Sequence, residues 1–288
     1  MKWIALFVLS CSTVFASEAL QTNRFSEVFN RIERENARHG KNNVLVVLDI
    51  DNTILRMAND LGSDQWYSWQ EEIMKDENCS PACITRDSAK LLDYQGLLFA
   101  VGKMITTEAN LAENIKALQQ SGQKIILLTS RGHDFRSVTE KALAISGFDF
   151  RLSQMGSSAA EIYLPYVLSR APEFGITPEE IQLANLRESR PVSYNNGIFM
   201  TAGQNKGIML KTLLHKYGAR YQSIVFVDDH QRHVDRMQQI LGDETDVTTF
   251  RYGGVDAQVA SFKASDKEQV SMNWLKLKQT LAEIGYAQ

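Results

Sequence analysis

The chain alternates between short apolar runs and longer stretches with apolar residues at helical spacing. Three apolar runs predict buried strands, and they lie in Val44–Leu55, Lys124–Ser130 and Ser223–Asp229. A helical pattern precedes each run, defined by Phe25, Val28, Phe29 and Ile32, then Leu111, Ile115 and Leu118, then Ile208, Leu210 and Leu214. Buried strands separated by amphipathic helices are typical of a parallel sheet covered by helices. The pattern therefore predicts an α/β layered fold.

Two segments interrupt this alternation. Residues 57–106 are too long for a plain connection, so we predict a helical cap insertion there. Residues 153–204 form a possible second insertion, in which Asn196-Gly197 between apolar runs is a strong hairpin signal. A last amphipathic helix, predicted over Val270–Ile284, is expected to pack on the outside of the sheet.

The first 16 residues have the pattern of a signal peptide. Lys2 supplies a positive start, an apolar stretch follows, and small residues surround a cleavage point between Ala16 and Ser17. The apolar stretch is shorter than the roughly 20 residues that a membrane-spanning helix needs. We therefore expect a periplasmic or secreted protein, cleaved near Ala16-Ser17, with no stable membrane insertion after cleavage.

The predicted segments together divide the chain into parts. Residues 17–56 and 107–288 would form the core domain that contains the sheet, and residues 57–106 the cap insertion.

Export changes how the two remaining cysteines are interpreted. Cys79 and Cys83 flank Pro81, which favours a turn that could bring the two sulfur atoms together. In an oxidising compartment this spacing favours a local structural disulfide over two free thiols. A zinc site is not expected, because no second Cys/His pair lies at ligand spacing.

Composition and charge narrow the class of function. With 44% hydrophobic and 23% charged residues, the chain can bury a large core. A net charge of -3, without a stripe dense in Lys and Arg, argues against nucleic-acid binding through phosphate neutralisation. We therefore expect no nucleic-acid partner.

Reactive side chains follow all three predicted strands. They are Asp49 and Asp51, then Thr129 and Ser130, then Asp228 and Asp229. Ligands of open parallel sheets bind beyond the carboxyl ends of the strands, so these side chains are expected at one edge. Two acids one residue apart at a buried strand end are costly unless positive charge offsets them. Lys206, on the helix before the third strand, is one source of that charge, and a bound metal ion is another.

Taken in order, these segments resemble the four motifs of the haloacid dehalogenase-like (HAD) superfamily. "LDIDNT" resembles the first motif, "LLTS" the second, Lys206 in "GQNKG" the third and "FVDD" the fourth. The pattern is also similar to that of a group of exported bacterial HAD-like proteins. The resemblance covers about Val44–Leu241 and implies a three-layer, Rossmann-like parallel sheet. The segment 57–106 lies where the superfamily places a cap.

The resemblance also implies roles for the site residues. Asp49 would be the nucleophile, Asp51 the general acid/base and Lys206 a stabiliser of charge. The expected phosphate ligands are Thr129, Ser130 and Arg131, although Arg131 could instead pair with a neighbouring acid. The expected cofactor is Mg²⁺, with ligands from Asp49, the backbone carbonyl of Asp51 and Asp228, supported by Asp229. Asp51 must be protonated when the reaction starts, and crowding against Asp49 favours its neutral form.

These roles predict an exported phosphatase that hydrolyses small phosphomonoesters through an aspartyl-phosphate. An acid at Asp51 fits phosphoryl transfer better than dehalogenation, because dehalogenases of the superfamily lack it. Two alternatives remain open: a non-catalytic protein that binds a phosphorylated ligand or a host partner, and a phosphotransferase. His230 and His233 are expected to be surface residues of a helix.

Overall fold

An eight-stranded, mostly parallel sheet forms the centre of the computed structural model, which describes residues 17–77, 81–156 and 161–285. The described strands are β1 (Ser17–Thr22), β2 (Val44–Leu48), β3 (Leu55–Met57), β4 (Met104–Thr106), β5 (Lys124–Thr129), β6 (Glu161–Tyr163), β7 (Val192–Asn195), β8 (Ile198–Met200), β9 (Ser223–Asp228) and β10 (Asp246–Tyr252). The central sheet has the order β1-β10-β9-β2-β5-β8-β7-β6. Strands β3 and β4 pair separately in a small antiparallel sheet.

Helices cover both faces of the central sheet. The described α-helices are α1 (Phe25–His39), α2 (Asp64–Ile73), α3 (Ser88–Val101), α4 (Leu111–Gln120), α5 (Arg136–Ile145), α6 (Pro178–Leu183), α7 (Lys206–Tyr217), α8 (Gln231–Leu241), α9 (Asp256–Ala264) and α10 (Glu268–Glu283). Successive side chains of β2 point to opposite faces of the sheet and join two buried apolar clusters. Val46 belongs to the cluster that includes α1 and α4, and Val47 to the cluster that includes α7 and α8. This arrangement confirms the predicted α/β fold with three layers.

The strand order brings the ends of three strands together. Strand β2 lies between β9 and β5 and runs parallel to both, with Leu48 in register with Val227 and Leu127. Asp49 continues from β2, and its N–H donates to the carbonyl of Val227 at 2.9 Å. Residues that follow β2 and β9 therefore share one edge of the sheet, as the sequence predicted.

The hairpin expected in the second interruption is present. Strands β7 and β8 pair antiparallel, and Asn196 and Gly197 join them with φ angles of 52° and 72°. Both values match a two-residue turn in which both central residues are left-handed. Residues 161–200 thus extend the central sheet by β6, β7 and β8.

The segment predicted as a cap begins and ends on the small sheet of β3 and β4, and it contains α2 and α3. We call residues 58–103 the insertion. Its buried apolar side chains form one cluster with those of α9 and α10, and the buried members are Trp66, Leu91, Leu98, Phe262, Val270 and Trp274. Helix α10, expected on the outside of the sheet, therefore packs against the insertion.

Two predictions fall on residues outside this description. The signal peptide, residues 1–16, is one of them. The other is the Cys79–Cys83 pairing: Cys83 is disulfide-bonded, but Cys79 is not among the described residues. Within the described ranges, no helix combines the length and the apolar character needed to cross a membrane.

Candidate active site

Lys206 lies between Asp49, which follows β2, and Asp228, which is the last residue of β9. It is the first residue of α7, and the side chain of Asn205 caps that helix by accepting hydrogen bonds from its first N–H groups. The Lys206 side chain is only 1% exposed, and its Nζ donates to Asp49 Oδ1 at 2.5 Å and to Asp228 Oδ2 at 2.6 Å. The structure thus brings together three residues that the sequence predicted for one site.

Asp49 is a buried carboxyl group with an unusual proton affinity. Burial raises its pKa to about 7, with Lys206 opposing the increase while Asp228 and Asp51 add to it. The hydroxyl of Thr53 donates to Asp49 Oδ2 at 3.1 Å, and the N–H of Asp229 donates to that hydroxyl. Both oxygens of Asp49 are therefore held by donors from its own loop and from α7.

Asp228 is fully buried, yet it is kept ionised by its surroundings. Burial would raise its pKa, but Lys206 and His233 outweigh burial, and the pKa lies well below its usual range. His233 Nδ1 lies 3.1 Å from Asp228 Oδ2, and the backbone N–H of His230 donates to Asp228 Oδ1 at 2.9 Å. Burial, helped by Lys206, lowers the pKa of His233 to about 4, so this ring is neutral at physiological pH.

Asp229 adds a third carboxylate to the site. Oxygens of Asp49, Asp228 and Asp229 lie within 4.8 Å of one another. Burial raises the pKa of Asp229 well above its usual range; His230 opposes this, and Asp228 and Asp49 contribute to it. Lys206 contacts two of these carboxylates, and His230 lies near the third but is paired with Asp64, so the acids outnumber the cationic groups at the site. A cluster of hard oxygen donors with excess negative charge fits a divalent cation such as Mg²⁺. The predicted ligand role of the Asp51 carbonyl stays a prediction.

Arg131 forms a bidentate ion pair with Asp51. Its Nε donates to Asp51 Oδ2 at 2.9 Å, and its Nη2 donates to Asp51 Oδ1 at 2.7 Å. The guanidinium also donates to Thr139, contacts the sulfur of Met104 and lies 3.8 Å from the ring centre of Phe99. Of the two roles open from the sequence, the structure shows pairing with an acid. Two charge-assisted hydrogen bonds therefore hold both oxygens of the Asp51 carboxyl group.

Thr129 and Ser130 lie at the carboxyl end of β5, beside this pair. The hydroxyl of Thr129 accepts a hydrogen bond from the N–H of Arg131 at 3.2 Å. The backbone carbonyl of Thr129 accepts hydrogen bonds from the N–H and the hydroxyl of Thr201. The carbonyl of Ser130 accepts the N–H of Gly203 at 2.8 Å. These contacts fasten the turn after β8 to the end of β5. The predicted phosphate-binding roles of Thr129 and Ser130 stay predictions.

Sequence reasoning missed several residues of the site. His233 was wrongly expected on the surface, since it is 5% exposed and contacts Asp228. His230 Nε2 lies 3.1 Å from Oδ2 of Asp64, which the insertion supplies, and this hydrogen bond raises the pKa of His230 to about 9. His233 could have been found, because the first turn after β9 lies over the strand end. Nothing in the sequence pointed to Asp64.

No curated protein matches this chain. A family model does, and it is described as a protein of unknown function (DUF2608). The match extends over residues 21–285, which includes the central sheet from β2 onwards, the insertion and every residue of the candidate site. Because the model covers far more than half of the sequence, the chain belongs to the DUF2608 family.

Proposed function

We propose that this protein is a Mg²⁺-dependent phosphatase that hydrolyses small phosphomonoesters through an aspartyl-phosphate on Asp49. The observation that carries the proposal is the buried Lys206, which contacts both Asp49 and Asp228 at the edge of the sheet. The three clustered carboxylates support a catalytic role further. A protein that only bound a phosphorylated ligand would gain nothing from crowding acids where a phosphate must lie.

The first step forms the covalent intermediate. An oxygen of Asp49 bonds to phosphorus while the bond from phosphorus to the leaving oxygen breaks, and the leaving oxygen takes a proton from Asp51 to become an alcohol. Lys206 holds the Asp49 carboxylate and offsets its charge as the anionic phosphoryl group approaches. Bound Mg²⁺, held by Asp49, Asp228 and Asp229, would supply further positive charge for the phosphoryl oxygens.

Asp51 can give this proton only after Arg131 has released at least one of its oxygens and that oxygen has taken up a proton from solvent. Both oxygens accept hydrogen bonds from Arg131 in the structure. A phosphate dianion is an alternative partner for the guanidinium, which binds such groups with two donors. The two roles considered for Arg131, pairing with an acid and contacting phosphate, would then be used in turn.

The second step restores the enzyme. Water attacks the phosphorus of the aspartyl-phosphate, Asp51 takes a proton from the water, and the bond from phosphorus to the Asp49 oxygen breaks. The products are inorganic phosphate and the free Asp49 carboxylate, whose charge Lys206 again offsets.

We also propose that the protein is exported and that its signal peptide is cleaved near Ala16-Ser17.

A turnover screen tests this function. The mature chain, starting at Ser17, is incubated with Mg²⁺ and a panel of aryl phosphates, sugar phosphates and nucleotides, and inorganic phosphate is measured. We expect release that a chelator abolishes. An added alcohol that receives the phosphoryl group would identify a phosphotransferase. The absence of phosphate release from every compound would overturn the phosphatase assignment.

Replacement of Mg²⁺ by Ca²⁺ should lower the rate about 10-fold or more. Ca²⁺ takes more ligands at longer distances, so the attacking and leaving oxygens are aligned less well. The rate is measured on one substrate from the screen, after removal of bound metal and addition of either ion at saturation. Equal rates with both ions would contradict the proposed alignment of Asp49 with the phosphoryl group.

Arg131→Lys should lower kcat/KM by about 10- to 100-fold. A lysine cannot offer two parallel donors to Asp51 or to a phosphate, so both proposed roles of Arg131 are weakened. Steady-state kinetics on an aryl phosphate provides the measurement. The matched control is Arg220→Lys, at an exposed arginine, which should leave the kinetics unchanged. An unchanged kcat/KM in Arg131→Lys would remove Arg131 from the mechanism.

A further inference from the structure

The insertion reaches the candidate metal site through Asp64. This residue begins α2, and Ser63 caps the helix by accepting the N–H of Trp66 at 3.2 Å. Trp66 is 1% exposed and belongs to the apolar cluster that joins the insertion to α9 and α10. The position of Asp64 is therefore fixed by the cap of its helix and by the packing of the residue two positions later.

His230 connects Asp64 to the acids at the end of β9. Its ring Nε2 lies 3.1 Å from Asp64 Oδ2, and its own backbone N–H donates to Asp228 Oδ1 at 2.9 Å. Side-chain atoms of Asp64, Asp229 and His230 lie within 4.8 Å of one another. The contact between Asp64 and His230, which are 166 positions apart in the sequence, thus links the insertion to the short backbone segment that carries Asp228 and Asp229.

We propose that Asp64 is a positioning residue of the metal site, which acts through His230 to hold the Asp228-Asp229 segment in place. The insertion then supplies a fixed part of the site. This inference rests on the proposed metal-dependent function, because it assigns Asp64 a role toward the same three carboxylates.

The alternative is an ordinary surface ion pair. The side chains of Asp64 and His230 are 33% and 37% exposed, and ion pairs at such positions contribute little to stability. Their loss should therefore leave the melting temperature nearly unchanged. A partner that orients metal ligands behaves differently, since its removal typically weakens metal affinity by about 10- to 100-fold. The two interpretations differ in metal affinity.

Asp64→Ala should raise the Kd for Mg²⁺ about 10-fold or more, with little change in melting temperature. The Kd is measured by titration calorimetry on the metal-free mature chain, and Tm by scanning calorimetry. Asp64→Asn keeps an oxygen that can accept a hydrogen bond from His230, so it should retain most of the affinity. Asp60→Ala, at an exposed acid of the same insertion, is the matched control and should bind Mg²⁺ as the wild type does.

Three results would overturn the inference. An Asp64→Ala protein that binds Mg²⁺ with wild-type affinity would show that the contact is an ordinary ion pair. Equal losses in Asp64→Asn and Asp64→Ala would show that the Asp64 carboxylate binds the ion directly. Wild-type protein that binds no Mg²⁺ would overturn the metal site itself, which separates failure of the proposed function from failure of this inference alone.

Discussion

Asp49→Asn should reduce the hydrolysis of an aryl phosphate to the uncatalysed background. The amide lacks the negative charge of the attacking carboxylate, so no aspartyl-phosphate can form. Its oxygen can still accept the hydrogen bond that Lys206 donates to Asp49 Oδ1, so the fold should be kept. Burial raises the pKa of Asp49 to about 7, because an ionised carboxylate is costly inside the protein. Replacing it with a neutral amide should therefore not lower the free energy of unfolding at neutral pH. Phosphate release at saturating Mg²⁺ gives the rate, and thermal melting gives the stability.

The control for this variant is Asp93→Asn, at an exposed acid of α3, which should keep the wild-type rate. Acid-quenched wild-type enzyme should also carry a phosphoryl group on the peptide that contains Asp49, and the variant should not. Wild-type turnover in Asp49→Asn would exclude the covalent mechanism.

Lys206→Met should lower the free energy of unfolding by about 3–5 kcal/mol, the usual cost of removing one partner from a buried ion pair. Methionine nearly preserves the volume of the buried lysine stem, so the lost stability measures the effect of removing the charge. Asp49 and Asp228 would remain buried without the ammonium group that contacts both. The variant should also lose activity. Urea unfolding of the metal-free protein provides the measurement, and the double variant Lys206→Met/Asp49→Asn should recover part of the loss.

The pH dependence of this loss follows from Asp228. Its folded pKa lies below its ordinary value of 3.8, largely because of Lys206 acting against burial. A carboxyl group with a lowered pKa stabilises the fold above its ordinary value and loses that contribution as the pH falls. The difference between wild type and Lys206→Met should therefore be large at neutral pH and shrink below pH 3.8. A variant as stable as the wild type at pH 7 would contradict the proposed pairing.

Much of the core of the site could be predicted, because it depends on where apolar runs end. Asp49 and Asp228 each follow a continuous buried run, and parallel strands present such residues at one edge whatever lies between them. The strands β1 and β10 were not predicted. β10 carries Thr248 and Thr249 among its buried residues, so it lacks the unbroken apolar run that marked the others.

Lys206 was expected to offset the acids, but two other pairs at the site could not be assigned from the sequence. Arg131 pairs with Asp51 across 80 positions, and Asp64 with His230 across 166. Such contacts depend on how a loop turns or where the insertion packs, and hydrophobic periodicity carries no information on either.

The apolar cluster shared by the insertion and the last two helices has a consequence for biosynthesis. Trp66, Leu91 and Leu98 leave the ribosome long before Phe262, Val270 and Trp274, which complete their core. The insertion therefore cannot complete the burial of its apolar side chains until α9 and α10 have been synthesised, and until then they are exposed to chaperones and proteases. A chain that ended before α9 would keep every catalytic acid of the site and still present this apolar surface, so we expect such a chain to be degraded more readily than one that includes α9 and α10.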